Sequence, residues 1–216
     1  AASEGRNTGE QKVFVMKKGE TVPTEITLPF TNGPTVARFK AARAIQRLKL
    51  NNDGTVLLIA EWFDGNLSGD VLVYRKTVTG WSLAAEMDKL VGALPEAGNT
   101  DGFGAGADMS ADGSVVVGGS YGLKGIQVMR WNGTNYVIEP VNSSSVSIGQ
   151  RGKDVKISSD GTEIIMPILI NDNGTPTDGT DDTKDLLLLK KDSTTGEWKD
   201  HSAVSFNSLI WGKQIH

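Results

Sequence analysis

Short runs of Val, Ile and Leu alternate along this chain with clusters of Gly, Asp, Asn, Ser and Thr, the pattern of many strands separated by turns. Three alternating segments close on an Asp-Gly pair: Leu48–Gly54, Ala107–Gly113 and Val155–Gly161. Asp-Gly between two apolar runs predicts a hairpin turn, because glycine accepts the positive φ that such turns require. Aliphatic runs follow at Thr55–Ala60, Ser114–Gly118 and Thr162–Ile170, and predict the second strand of each unit. Third strands end on an apolar, apolar, basic pattern: Val15-Met16-Lys17-Lys18, Val73-Tyr74-Arg75-Lys76, Val128-Met129-Arg130-Trp131 and Leu188-Leu189-Lys190-Lys191. An aromatic residue then marks the fourth strand, as Trp81, Tyr136 and Trp198.

The unit is therefore four strands, A to D, and it recurs. Tandem four-stranded units of roughly 40 to 60 residues, none able to cover both its faces alone, predict an all-β fold and a β-propeller. The expected division is a partial blade over 1–35, blades over 36–100, 101–147 and 148–205, and the start of another over 206–216. Ala1–Gln11 resembles the end of a B strand with its loop, and Gly212–His216 the start of an A strand. That leads to the expectation of a fragment of a propeller of about seven blades, with a homodimer completing one ring as the alternative. Two segments, Val36–Leu50 and Leu83–Leu94, carry apolar residues at helical spacing and predict helical turns between blades.

Composition narrows the partners. A net charge of −4 and a pI near 5.3 give no overall footprint for gripping nucleic acid. The basic run Arg38, Lys40, Arg43, Arg47 and Lys49 reads as a solvated connection, with a polyanion site as the alternative. No apolar run reaches the roughly 18 residues needed to span a bilayer. With no cysteine, disulfides and thiolate chemistry are excluded, while location stays open.

At Phe103-Gly104, followed by Ser110–Ser120 (SADGSVVVGGS), the chain resembles the FG-GAP repeats of integrin-α-like propellers and related extracellular repeats. The resemblance implies an extracellular or cell-surface module for adhesion or assembly, and one that binds calcium in loops rich in Asp and Asn. Its partners would be a protein or glycan ligand and the remaining blades of the ring, from the same chain or a second copy.

Hard cations need several closely spaced oxygen ligands. Asp172, Asn173, Asp178, Asp181 and Asp182 supply that density between two strands of the last full blade, so they are the candidate Ca2+ ligands, against a solvated polar turn as the other reading. Trp62, Phe63 and Trp211 do not recur by blade, which makes them candidate partner contacts. Trp81, Tyr136 and Trp198 do recur, and are expected to pack between blades. The repeated Asp53, Asp112 and Asp160 read as turn residues, since catalysis needs a group once and a turn needs it every time.

Neither His201 nor His216 stands in a Ser-His-Asp or zinc-binding pattern. The expected function is thus a non-enzymatic β-propeller module. The alternative is a propeller-type carbohydrate-active lyase or hydrolase with acids at the central channel, for which the A strands offer Asp108 and Asp154.

Overall fold

A computed structural model describes residues 12–27, 43–63, 70–87, 103–104, 106–119, 125–143, 154–171 and 183–204. They form an all-β assembly of antiparallel blades. A two-stranded half-blade, β1 (Val13–Val15) and β2 (Thr24–Ile26), comes first. Blade 1 follows with β3 (Arg43–Leu50), β4 (Val56–Phe63), β5 (Asp70–Thr77) and β6 (Gly80–Met87), paired in chain order. Blade 2 repeats this with β7 (Gly106–Met109), β8 (Val115–Gly119), β9 (Ile126–Trp131) and β10 (Tyr136–Glu139). Next, β11 (Val141–Asn142) runs parallel to the outer edge of blade 3, which is β12 (Lys156–Ile157), β13 (Glu163–Asn171), β14 (Thr183–Lys191) and β15 (Trp198–Val204).

Alternation along the second strands explains the stacking. In β4, Val56, Leu58 and Ala60 point into a core shared with blade 2, where they meet Phe103, Met109, Val116 and Tyr136. Leu57 and Ile59 point the other way, to Val13, Ile26, Leu72 and Tyr74 beside the half-blade. The second blade divides likewise, with Val116 facing blade 1, and Val115 and Val117 joining Ile164, Met166, Leu187, Leu189 and Trp198 of blade 3. A sheet apolar on both faces is stable only between two others, so this pattern dictates a stack.

The Asp-Gly turns fold as the sequence predicts, and identically. Gly54, Gly113 and Gly161 have φ of 71°, 71° and 68°. Thr55, Ser114 and Thr162 each donate a backbone N–H to the turn aspartate, at 2.9, 2.9 and 3.1 Å. Thr55 and Ser158 hydroxyls reinforce the carboxylates of Asp53 and Asp160 and hold both below the usual range. Partial burial pushes Asp112 up, but bonds from Ser110 and Ser114 outweigh it. The turns are also stitched together: Asn52 N–H donates to the Ala111 carbonyl at 2.8 Å, and Ala111 N–H to that of Ser159 at 2.9 Å.

The helical turns expected at Val36–Leu50 and Leu83–Leu94 are not found in their described parts, which are strands β3 and β6. Each strand carries a bulge. Pairing jumps from Ile45–Glu61 to Arg47–Ala60, and from Tyr74–Leu83 to Val73–Ala85. One extra residue moves the following positions to the other face. Ile45, Leu48 and Leu50 share a side of β3 with a step of three, while Leu83 and Met87, four apart as on a helix, face opposite sides of β6.

Candidate functional site on the inner strands

The first strands of the three blades lie side by side, β3 against β7 and β7 against β12. The chemistry of the described residues concentrates there. The bulge at Gln46 turns Arg47 and Lys49 to the side of β3 that faces blade 2, whereas Ile45 packs toward the half-blade. Without the extra residue, all three would share one face.

Lys49 donates from Nζ to Asp108 Oδ1 at 2.6 Å and to the Met109 carbonyl at 2.8 Å. Asp108 is only 5% exposed, and a buried carboxylate needs partners on both oxygens. Its Oδ2 accepts the Ile157 N–H at 3.1 Å, so one side chain joins β3, β7 and β12. Arg47 Nη2 lies 3.2 Å from Asp154 Oδ1, with side chains 42% and 57% exposed. This second pair is open to solvent and spans blades 1 and 3. Arg47 and Lys49, expected in a solvated connection, are thus strand residues engaged across blades, while Arg38 and Lys40 lie outside the described residues.

At the far ends of β4 and β5, Glu61 and Asp70 are buried opposite each other. Gly104 (φ 82°) passes so close that a Cβ there would overlap the Glu61 carbonyl oxygen. Phe103, fully buried beside it, fills the core between blades 1 and 2. Phe-Gly is therefore a packing pair: one residue fills, the other allows the approach.

The outer strands carry a different arrangement. Tyr136 donates its hydroxyl to the Gly113 carbonyl at 2.6 Å and accepts from Arg75 Nη1 at 3.2 Å, while the Arg75 guanidinium stacks 4.2 Å over the Trp131 ring. Trp198 donates from Nε1 to Glu139 Oε2 at 2.9 Å. Burial pushes the Glu139 carboxyl up, but Lys191, Arg130 and Trp198 together hold it below its ordinary value. Tyr136 and Trp198 thus pack between blades as expected, and Trp81 packs against the core beside the half-blade.

Asp172, Asn173, Asp178, Asp181, Asp182 and Trp211 lie outside the described residues. Trp62 and Phe63 contribute backbone to β4, and their side chains are not described. Among the described residues, no group of three or more His, Asp or Glu is placed to hold a metal ion. Glu139 escaped sequence reasoning, although Glu-Pro after the Tyr136 strand is a visible departure from the other units.

No family model matches the chain, and no curated protein matches its sequence. Its fold is similar to that of a candidate 6-phosphogluconolactonase from Bacteroides uniformis, at a TM-score of 0.52 and 15% identity over 90% of this chain and 48% of that one. A periplasmic gluconolactonase of Pseudomonas aeruginosa matches at a TM-score of 0.50 and 16% identity, over 94% and 53%. A hypothetical selenium-binding protein of Sulfolobus tokodaii matches at a TM-score of 0.52 and 14% identity, over 77% and 42%. The chain spans about half the length of these structures.

These findings correct two expectations. The resemblance to FG-GAP, integrin-like repeats is overturned: two of the solved structures similar in fold are named as lactonases, and the S-x-D-G turn is a solution to strand reversal that unrelated blades share. The reading as a non-enzymatic cell-adhesion module falls with it, since two of the three neighbours carry the names of enzymes.

Proposed function

We propose that the chain is part of a propeller-type hydrolase that opens a sugar-derived lactone, located outside the cytoplasm as the Pseudomonas neighbour's name says of that protein. The observation that carries this reading is the Arg47–Asp154 pair, a cation on β3 and a carboxylate just before β12, in contact across β7 and open to solvent. Ester hydrolysis needs a base to take a proton from water and a fixed positive charge where the carbonyl oxygen becomes an anion. In this scheme Asp154 accepts the water proton as the oxygen attacks the ring carbonyl carbon. Arg47 holds the oxyanion, the ring C–O bond breaks, and the proton passes to the departing alkoxide, leaving a hydroxy acid. Asp108, already committed to Lys49 and Ile157, has no free oxygen for this work.

The test is proton release from gluconolactone and 6-phosphogluconolactone in a pH-stat, corrected for spontaneous opening. Turnover of at least one lactone is expected, falling by about 10²-fold or more in Asp154→Asn. No acceleration of either lactone, or a wild-type rate in Asp154→Asn, overturns it.

A further inference from the structure

The buried carboxylate of Asp108 bonds Lys49 through Oδ1 at 2.6 Å and the Ile157 amide through Oδ2 at 3.1 Å. Lys49 stands two residues from Arg47 on β3, and Ile157 three residues after Asp154 at the start of blade 3. The same carboxylate therefore sets how far β3 stands from β12. Arg47 and Asp154 are long or exposed side chains that meet at 3.2 Å across that gap. An exposed ion pair between separate elements is weak by itself and does not hold its own geometry. The contacts of Asp108, itself 5% exposed and charged, are the stronger restraint, though the Lys49 side chain is 41% exposed.

We propose that Asp108 is a positioning residue, clamping β3 to β12 across β7 so that Arg47 and Asp154 stay in register for reaction. The catalytic part of this rests on the lactone-hydrolase reading, and the clamp itself does not. The backbone stitching from Asn52 to Ala111 to Ser159 fixes the same three strands at their turn end. Asp108 extends that restraint up the strands, toward the ends from which Arg47 and Asp154 project. The bulge at Gln46 belongs to the device, since it sends Ile45 toward the half-blade while Arg47 and Lys49 face blade 2.

Two variants separate the effects. Asp108→Ala removes both bonds, while Asp108→Asn keeps an acceptor for Ile157 and loses the charge that holds Lys49. Trp198→Phe, on the outer strand β15, serves as a control that disturbs the core shared with Val155 and Ile157 while leaving both Asp108 bonds in place. Amide hydrogen exchange reads the clamp directly: the Ile157 amide in Asp108→Ala should lose protection by about tenfold or more, with Ile164 little changed. In the lactone assay kcat should fall by up to about 10²-fold with KM nearly constant, since misplacement of reacting groups costs rate rather than binding. Asp108→Asn should lie between, and Trp198→Phe should lower the melting temperature while keeping kcat. Unchanged Ile157 protection, or a kcat loss no greater than that of Trp198→Phe, overturns the proposal. A wild type that opens neither lactone, yet exposes Ile157 on substitution, overturns the proposed activity and supports the clamp.

Discussion

The two interfaces between blades use the same strand positions but different chemistry. Between blades 1 and 2, the space is filled: Phe103 and Met87 are buried, and at the outer edge Arg75 of blade 1 donates to the neutral Tyr136 hydroxyl and stacks on Trp131 of blade 2. Between blades 2 and 3, the outer edge is anchored by charge, where Glu139 gathers Arg130, Lys191 and the Trp198 indole. Arg75 and Arg130 occupy equivalent places in their strands. One stacks on Trp131 and the other pairs with a carboxylate. The repeat thus constrains shape at each position and leaves the kind of contact free, which is why sequence identity decays faster than architecture.

The largest effect expected comes from emptying the filled interface. Phe103→Ala should cost about 3–5 kcal/mol in urea unfolding, because close-packed neighbours cannot collapse onto the void. If the loss is under about 1 kcal/mol, the first interface is not held by volume.

The charged interface should respond to acid instead. Glu139 titrates below its unfolded value of about 4.3, so its contribution is complete above that pH and lost as pH falls through the lower, folded value. Glu139→Gln should destabilise by about 1–3 kcal/mol at pH 7 and flatten the acid limb of a melting-temperature profile from pH 7 to pH 3. Parallel profiles for wild type and variant would show that the carboxylate contributes no linkage.

The smallest contrast lies in the turns. A Cβ on Gly113 would meet Val56 at 2.7 Å, and one on Gly161 would meet Val115 at 2.7 Å, whereas at Gly54 nothing described lies within 4 Å. All three share the left-handed φ. Gly54→Ala should therefore cost about 1–2 kcal/mol from the backbone alone. Gly113→Ala should cost about 1–3 kcal/mol more from the collision, read as the difference between two denaturation midpoints. Equal losses would mean that the interface yields freely.

Much of this was legible in the sequence. The Asp-Gly turns, the aliphatic second strands and the aromatic fourth strands are local patterns, each produced by the backbone or face it serves, and each landed where expected. What failed was whatever depended on a single inserted residue or on a distant partner. The apolar spacing of Leu83 and Met87 imitated a helix although the two face opposite sides of a bulged strand. Lys49 looked solvated because Asp108, its partner, stands 59 residues away. Glu139 was passed over for the same reason, with its partners Lys191 and Trp198 a blade further on. For the proposed pair, the sequence offered Asp154 together with Asp108 as A-strand acids, but did not match Arg47 to it. No periodicity connects two side chains that meet only because three blades stack.

The stitched turns have one more implication. Each donates in one direction only, amide forward to carbonyl, so the series has a head and a tail like the links of a one-way chain. A unit duplicated in the gene would offer its neighbours the same acceptor behind and the same donor ahead. Growth by copying then needs no new bonding rule, and divergence can proceed in the loops while the inner seam stays unchanged.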